Sequence, residues 1–339
     1  MKAAPGPGAV LREVPEPAAP TSDLVLVKVL ASSICGTDYH IYSWDAWSAA
    51  RVRPPRIMGH EFAGEIVAVG PEVKRARVGD YVSGESHWVC GVCDQCRAGQ
   101  MHVCRNTRIL GVDVDGCFAD YVLVPEMSTF PNDGVLPPEI ACIQDPLGNA
   151  VHATLADEIV GRNVMVLGCG PIGVFAVAVA KAAGASYVWA SDTRDFRLEL
   201  ATALGADGVV NAAKDDVVEY CGRKTHGKGV DVALEMSGAP SAVRQAMRIT
   251  RPGGRVSLMG IPANPVELDL SEMIFKGLDV KCIVGRRIAQ TWNTMHTLLS
   301  SGRLDVRPAV THQMPFEDFE HGMELMRDGL CGKVVFRMN

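Results

Sequence analysis

The chain has 339 residues, of which 47% are hydrophobic and 21% are charged, and its formal net charge is −6. This length exceeds one comfortable hydrophobic core, so we expect two domains. The acidic balance argues against the basic surface that a nucleic-acid partner requires, and no apolar run approaches a membrane span. The N-terminal segment lacks the apolar core of a signal peptide, and an odd number of cysteines, eleven, fits a reducing cytoplasm.

The first 130 or so residues alternate short strand-like runs with turn signals, which predicts a β-rich lobe. The segment 84–108 within it has no periodic pattern and is rich in cysteine and glycine. A loop of that length needs something other than a hydrophobic core to hold it. The strands predicted here are Leu24–Leu30, Glu65–Val69 and Tyr121–Val124.

From Arg162 onward, apolar strands alternate with helical segments, which predicts an α/β domain with a doubly wound parallel sheet. A further helix over Trp292–Leu299 and a terminal strand over Lys333–Arg337 follow this region. The strands predicted in the alternating region are Val164–Leu167, Tyr187–Ser191, Val209–Val210, Val230–Met236, Arg255–Met259 and Val280–Val284, and the helices are Val174–Ala183, Arg194–Leu204, Val217–Cys221 and Ser241–Ile249.

A glycine-rich turn, GCGPIG (168–173), lies between the first of these strands and an apolar helix. In that context Gly168 permits a tight turn, Gly170 lets the backbone approach a pyrophosphate, and Gly173 allows the helix to pack on its strand. The pattern predicts a dinucleotide site with the phosphates at the helix N-terminus. The alternative is a βα turn that binds no ligand.

Asp192 ends the second strand, 19 residues after Gly173. A carboxylate at this position accepts hydrogen bonds from the ribose hydroxyls and repels a 2′-phosphate, which favours NAD over NADP. Arg194 or Arg197 could accept a 2′-phosphate instead, so the sequence leaves NADP open as the alternative to NAD.

Four cysteines follow the spacing C-x2-C-x2-C-x7-C: Cys90, Cys93, Cys96 and Cys104. Four thiolates fill every position of a tetrahedral zinc ion, so this set predicts a structural metal that holds the 84–108 loop. An iron–sulfur cluster uses the same ligands and is the competing interpretation. Buried or disulfide-paired cysteines are the third, and they suit a cytoplasmic chain poorly at this spacing.

Cys35 stands apart from that cluster, and the dipeptide His60-Glu61 follows it 25 residues later. One thiolate, one imidazole and one carboxylate make the mixed set that a catalytic zinc uses when it keeps a position for substrate. A histidine with an ordinary polar partner is an equally good interpretation of the pattern alone.

Taken together, these motifs identify a resemblance, over essentially the whole chain, to the zinc-dependent medium-chain alcohol dehydrogenases. Longer strings resemble the members of that family that act on the 3-hydroxyl of L-threonine. Those strings are ICGTDYHIYSWDAWS (34–48), MGHEFAGEI (58–66), CRNT (104–107), GCFADY (116–121), DPLGNAVHA (145–153), EMSGAP (235–240) and IFKGLDVKCIVGR (274–286).

The resemblance implies a GroES-like catalytic domain over residues 1–145, with the zinc lobe at 84–108, and a Rossmann NAD-binding domain over 146–288. A C-terminal segment, 289–339, would return to the catalytic domain, with the active site in the cleft between the two domains. It also implies two zinc ions per chain, NAD as cofactor and a homotetramer.

Individual roles follow from the same resemblance. Cys35, His60 and Glu61 would hold the catalytic zinc, and Thr37 and His40 match the proton-relay pair. Asp145 matches an acidic position near that zinc, and we expect it to act beside the metal rather than as a permanent ligand. The cofactor contacts implied beyond the glycine turn are Ile172, Asp192, Arg197, Met259, Gly260, Ile261, Ile283 and Val284.

The expected reaction oxidises L-threonine to 2-amino-3-oxobutanoate, a step in threonine breakdown towards glycine. Charge matching suggests that Asp45 or a neighbouring carboxylate meets the substrate ammonium and that Arg286 meets its carboxylate. Trp47 and His87 are further candidates for the substrate pocket, although core packing and a plain loop are their ordinary interpretations. Arg287 departs from the pattern of the threonine-oxidising members.

Two other functions compete with this one. A polyol or secondary-alcohol dehydrogenase of the same family, acting on butanediol or sorbitol, would share the zinc motifs but has less reason to carry the WDAW and DPLGNAVH strings. A non-catalytic nucleotide-binding relative typically loses a zinc ligand or a relay residue, whereas all five are present here.

Overall fold

A computed structural model of the chain describes residues 1–132 and 136–338. The chain divides into two compact units. Unit 1 comprises Met1–Pro146, Arg287–His296 and Val310–Asn339, and unit 2 comprises Leu147–Arg286 and Thr297–Ala309. Within the described ranges, every helix is too short or too polar to traverse a bilayer.

The N-terminal half of the chain supplies most of unit 1. Its helix α5 crosses from unit 1 into unit 2 between Pro146 and Leu147. The elements, in chain order, are β1 (Leu24–Ser33), α1 (Gly36–Ser43), α2 (Ala46–Arg51), β2 (Glu61–Val69), β3 (Tyr81–Gly84), β4 (His87–Trp88), α3 (Asp94–Arg97), β5 (Arg108–Ile109), β6 (Tyr121–Pro125), β7 (Thr129–Pro131), α4 (Pro138–Ala141) and α5 (Gln144–Thr154).

Unit 2 alternates strands and helices, after which the chain returns to unit 1. The elements of unit 2 are β8 (Asn163–Leu167), α6 (Pro171–Ala182), β9 (Tyr187–Asp192), α7 (Asp195–Ala203), β10 (Gly208–Asn211), α8 (Val217–Lys224), β11 (Val230–Glu235), α9 (Pro240–Ile249), β12 (Thr250–Leu258), α10 (Leu270–Lys276) and β13 (Asp279–Cys282). The remaining elements are α11 (Gln290–Ser300), β14 (Val310–Pro315), α12 (Phe319–Asp328) and β15 (Lys333–Arg337).

The main sheet of unit 1 has the strand order β14-β15-β1-β2-β3-β7, with β6 also pairing β1. In β1 the side chains of Val25, Val27 and Val29 are fully buried and alternate with half-buried ones. Because the side chains alternate with a period of two residues, one face of the strand is directed towards the core. Phe62 and Phe336, from the neighbouring strands, complete that core.

The sheet of unit 2 is parallel, with the order β10-β9-β8-β11-β12-β13. Numbered within the sheet, this is the 3-2-1-4-5-6 order of a doubly wound nucleotide-binding fold. The strands β8 and β9 are buried on both faces, as expected where helices cover a parallel sheet. The predicted α/β fold class is confirmed.

Two features differ from the sequence prediction. Residues 36–51 form the helices α1 and α2 inside the lobe that was expected to be β-rich. Residues 297–309 belong to unit 2, although the resemblance implied that all of 289–339 returns to the catalytic domain. The reason is local packing: Leu304, Val306 and Ala309 are buried, and the turn at 307–309 packs against α6 and α7.

Candidate active site and metal centres

Cys35, His60 and Glu61, here called the mixed site, come together where two strands meet. Antiparallel pairing places Ser33, at the end of β1, opposite Glu61, at the start of β2. The ligand atoms of the three side chains therefore lie within 4.8 Å of one another. A cysteine, a histidine and a carboxylate at this spacing can hold a metal ion in common.

The side chains of the mixed site fit a cation. His60 and Glu61 are buried, yet His60 Nδ1 and Glu61 Oε1 have no hydrogen-bond partner among the described residues. The nearest acidic group to that ring nitrogen is Asp38, whose Oδ1 is 3.5 Å away. Buried polar atoms without partners are costly, and a metal ion would satisfy both.

The second oxygen of Glu61 is held by a buried lysine that sequence reasoning missed. Lys333 Nζ, on β15, donates to Glu61 Oε2 at 2.5 Å and to the Ile34 carbonyl at 2.6 Å. Ser33 Oγ donates to the same carboxylate oxygen. Burial disfavours the ammonium, but the Glu61 carboxylate outweighs this and raises the pKa of Lys333. Oε2 of Glu61 is thus engaged by the protein, whereas Oε1 has no partner among the described residues.

Asp38 fixes the loops on either side of the mixed site and was also missed. It is fully buried, and its carboxylate accepts hydrogen bonds from Cys35 N at 2.9 Å and from Gly59 N at 3.1 Å. One side chain therefore ties the start of α1 to the turn before His60. The sequence carried no signal for this role, because neither the burial of Asp38 nor its two backbone partners follows from the local pattern.

Thr37 and His40 lie on α1, three residues apart and so on one face of the helix. Thr37 Oγ1 is 3.9 Å from Cys35 Sγ. His40 Nδ1 is 2.6 Å from Asp45 Oδ2, and the ring of Trp47 lies edge-on at 6.2 Å. The WDAW string thus contacts His40 itself.

Asp45 has partners for both carboxylate oxygens. It caps α2, accepting the backbone N–H of Ser48 on Oδ1 at 2.9 Å, while Oδ2 faces His40. Its slight burial would raise the pKa of Asp45, but the bonds from Ser48 and His40 hold it below its ordinary value.

His87 is oriented by another buried carboxylate that the sequence did not reveal, Glu85. Glu85 Oε1 lies 2.8 Å from His87 Nδ1, and its Oε2 accepts from Trp292 Nε1 at 2.8 Å. Asp145 lies close by, accepting the Ser86 N–H at 3.0 Å. Asp145 is not one of the three mixed-site groups.

The four cysteines of the 84–108 segment converge between β4 and β5, and their sulfurs lie within 4.8 Å of one another. Backbone N–H groups of Val92 and Cys93 lower the pKa of Cys90 to about 6, whereas burial raises that of Cys96 to about 12. Four thiolates at this distance repel one another, and a bound cation compensates that repulsion. The cluster therefore suits a closed metal site.

The glycine turn of unit 2 has the conformation that a dinucleotide requires. Gly168 has a φ of +93°, and a Cβ on Gly173 would collide with the Gly168 carbonyl oxygen. Helix α6 begins directly after Gly170 and directs its N-terminus into the turn. Ile172 lies in the first turn of this helix.

Asp192 ends β9 beside this turn. Its carboxylate accepts the N–H groups of Cys169 at 2.8 Å and Arg194 at 3.0 Å, and Arg197 Nη1 is 3.7 Å away. The carboxylate is thereby held against the glycine turn. Arg197 balances its charge from one side.

Residues 259–261 form the loop after β12, next to Gly238. The buried carboxylate of Glu235, which was not predicted, accepts the N–H groups of Ser237 at 2.9 Å and Gly238 at 3.0 Å. Gly260 packs so closely on Gly238 that a side chain would collide with its backbone. Glu235 and Gly260 therefore set the shape of this loop.

The DPLGNAVH string also has a structural explanation in unit 2. Arg286 is buried, and its Nη1 donates to Asn149 Oδ1 at 2.9 Å. A Cβ on Gly148 would lie 2.7 Å from Arg286 Cδ, so a larger residue there would displace the Arg286 side chain. His152 Nδ1 lies 3.0 Å from the Gly285 carbonyl. Ile283 and Val284 precede this segment, after β13.

Two family models match the chain. The alcohol dehydrogenase GroES-like domain matches residues 21–134, and the zinc-binding dehydrogenase model matches residues 171–301. An L-threonine 3-dehydrogenase of Symbiobacterium thermophilum is 53% identical over 97% of this chain and 94% of its own. This chain belongs to the zinc-binding dehydrogenases. This zinc-binding dehydrogenase is therefore an oxidoreductase of a family that uses zinc and a nicotinamide nucleotide.

Further relatives and solved structures are similar to this chain over most of its length. Seven further relatives named L-threonine 3-dehydrogenase are 48–51% identical over 92–100% of this zinc-binding dehydrogenase. The alcohol dehydrogenase TADH from Thermus sp. ATN1 superposes with a TM-score of 0.90, at 31% identity over 97% of this chain and 96% of that one. A zinc-binding dehydrogenase from Sinorhizobium meliloti 1021, solved with NADP, has a TM-score of 0.89, at 31% identity over 96% and 95% of the two chains.

Proposed function

We propose that this chain is an NAD-dependent L-threonine 3-dehydrogenase that oxidises the substrate 3-hydroxyl to give 2-amino-3-oxobutanoate. The observation that carries the proposal is identity of 48–53%, over nearly the full chain, to eight relatives with that name. The strings around His40 and Asn149 support it, because each makes side-chain contacts within its own unit to a residue that the proposal uses.

In this proposal, Cys35, His60 and Glu61 hold a catalytic zinc, and the four cysteines of the 84–108 segment hold a structural one. When bound, zinc supplies a Lewis acid for the substrate hydroxyl, and the nicotinamide supplies the hydride acceptor. Lys333 and Ser33 hold Oε2 of Glu61, and Asp145 would act near the metal as a group that can hold or pass a proton.

The protein moves the proton. Oxidation breaks the O–H and C3–H bonds of the substrate; the hydride leaves with the cofactor, and the proton must reach water. Thr37 Oγ1 can accept that proton while giving up its own towards His40, which lies on the same face of α1. The side chain of His40 is 57% exposed, so it can release the proton to solvent.

Substrate contacts are a further part of the proposal. Arg286 would bind the carboxylate of threonine, with Asn149 and Gly148 setting its position. His87, which Glu85 orients, and Trp47 would border the substrate. The nucleotide would contact Ile172, Arg197, the 259–261 loop, Ile283 and Val284.

Asp192 sets the preference for NAD, because a 2′-phosphate would lie against its carboxylate. The substitution Asp192→Asn keeps the shape and the acceptor oxygen but removes the charge. We expect the ratio of kcat/KM for NAD over NADP to fall about 10- to 100-fold. The nearby exposed carboxylate of Asp195 provides the control Asp195→Asn, which should leave the ratio unchanged. An unchanged ratio in Asp192→Asn would contradict the assignment.

The function is tested by NADH formation at 340 nm with L-threonine, 2,3-butanediol, sorbitol and ethanol, alongside metal analysis. A site built around the ammonium and carboxylate groups should reject alcohols that lack them, so we expect kcat/KM for threonine to exceed the others by at least about tenfold. Faster oxidation of butanediol or sorbitol would instead favour the polyol dehydrogenase alternative.

We also propose a cytoplasmic homotetramer. None of the eleven cysteines is disulfide-bonded, as expected in a reducing compartment. Strand β13 lies at the edge of its sheet, and Ile261, Ile274 and Phe275 are at least 75% exposed. Apolar side chains at that exposure, near a free strand edge, suit contact with a second copy. Sedimentation as a monomer would contradict this.

A further inference from the structure

The string WDAW (44–47) curls back onto His40. Trp44 ends α1 in the left-handed conformation, with a φ of +59°, and its N–H donates to the His40 carbonyl at 2.9 Å. This turn reverses the chain so that Asp45 starts α2 directly beside the His40 side chain. Lys2 packs against this turn: it is fully buried, and its Nζ lies 4.9 Å from the centre of the Trp44 ring.

The imidazole of His40 is consequently restrained on two sides. Asp45 Oδ2 engages Nδ1 at 2.6 Å, and the ring of Trp47 lies 6.2 Å away, centre to centre, at 63°. Within the described residues, Nε2 makes no hydrogen bond. A carboxylate accepts hydrogen bonds and donates none, so the neutral imidazole carries its proton on Nδ1 and leaves the lone pair on Nε2.

We propose that Asp45 is a positioning residue for the proton relay: it selects the Nδ1–H tautomer of His40 and so presents Nε2 as the acceptor for the proton arriving from Thr37. The inference rests on the proposed function. This role differs from the contact with the substrate ammonium that charge matching suggested for Asp45. Both carboxylate oxygens of Asp45 already have partners in the protein. Trp47 limits rotation of the ring, and Trp44 places the carboxylate.

The arrangement follows the logic of an orienting carboxylate in a catalytic triad, where the acid fixes the tautomer and stabilises the imidazolium that forms. The side chains of His40 and Asp45 are 57% and 37% exposed, so solvent weakens the charge interaction. We therefore expect the loss of the Asp45 carboxylate to lower kcat by less than the loss of the acid in a buried triad. The exposure in turn allows the proton to leave for water.

The decisive variant is Asp45→Ser, because serine still caps α2 through its hydroxyl but has no carboxylate for His40. We expect ¹⁵N NMR of the histidine-labelled holoenzyme, above the pH range in which histidine is protonated, to show Nδ1–H for His40 in the parent protein. In Asp45→Ser the population should shift towards Nε2–H, the form that a free imidazole side chain favours in water. The His40→Gln spectrum assigns the signal.

Ser48→Ala is the matched control. It removes the hydroxyl that bonds the Asp45 carbonyl at 3.0 Å, and therefore perturbs the same turn, but leaves the carboxylate on His40. The tautomer should be that of the parent protein. If the parent already carries Nε2–H, or if Asp45→Ser and Ser48→Ala change it equally, the proposal is wrong and Asp45 is only a helix cap.

Kinetics provide a second readout. Asp45→Ser should lower kcat for threonine about two- to fivefold with little change in KM, since an exposed ion pair contributes at most about that factor. In a His40→Gln background, the same change should have no further effect on kcat. An equal loss in both backgrounds overturns the proposal. Absence of threonine oxidation by the parent enzyme would refute the proposed function alone, because the tautomer is measured without substrate.

Discussion

The substitution Cys35→Ala should abolish threonine oxidation and remove one of two zinc ions per chain. The thiolate is one of three converging ligands, and Glu61 already shares its charge with Lys333. Losing it leaves His60 and one carboxylate oxygen, too few for a tetrahedral zinc with an open position. A Lewis acid is worth several kcal/mol in the transition state, so we expect kcat/KM to fall by about three orders of magnitude.

Steady-state NADH formation and zinc content by mass spectrometry measure this together. The control is Cys221→Ala, a buried thiol in the core of unit 2, which should retain both zinc ions and near-normal kinetics. Two zinc ions in Cys35→Ala, with activity within tenfold of the parent, would show that the mixed site is not the catalytic metal centre. Loss of zinc without loss of activity would contradict it equally.

The largest effect on stability is expected from Lys333→Met. This change leaves the Glu61 carboxylate buried with only Ser33 as a donor to its Oε2, whereas the parent chain supplies an ammonium at 2.5 Å. Breaking one partner out of a buried pair costs about 3–5 kcal/mol. The free energy of unfolding in urea should fall by that amount in the zinc-free protein. It should fall by less with zinc bound, because the metal compensates the carboxylate.

Lys181→Met is the comparison for a surface pair. Lys181 bonds Asp207 at 3.0 Å but is a third exposed, so its loss should cost at most about 1 kcal/mol. The double variant Glu61→Gln with Lys333→Met should recover part of the lost stability, because no unpaired charge remains. Equal costs for the two lysines would mean that Lys333 does not compensate Glu61.

Local motifs of the site could be read from the chain because the residues that form them are close in sequence. The glycine turn and the four cysteines each span fewer than 20 residues, and their spacing is itself the geometry. Both motifs have the expected geometry in the structure: a Cβ on Gly173 has no room, and the four sulfurs lie within 4.8 Å of one another. Their roles in binding nucleotide and zinc stay predictions until they are measured.

The strings WDAW and DPLGNAVH were interpreted by resemblance alone, because local chemistry did not show what their residues contact. Their residues contact partners that no local pattern reveals: Asp45 turns back onto His40, and Gly148 makes room for Arg286, 138 positions later in the chain. Core packing was the ordinary interpretation of Trp47, and no local pattern assigned a role to the DPLGNAVH string. Their functional meaning depends on which side chain the fold brings against them.

Composition and local pattern suffice to establish an α/β chain with a nucleotide turn and two candidate metal sets, because these depend on residue type and short spacing. The supporting carboxylates and cations do not follow from them. Glu61 meets Lys333 across 272 positions, and Glu85 meets Trp292 across 207, through strand pairing and the return of the chain to unit 1. Such contacts carry no local sequence signal, since the partners lie far apart in the chain and the neighbours of one do not point to the other. Burial gives them their importance: a charge removed from water must find its partner within the fold.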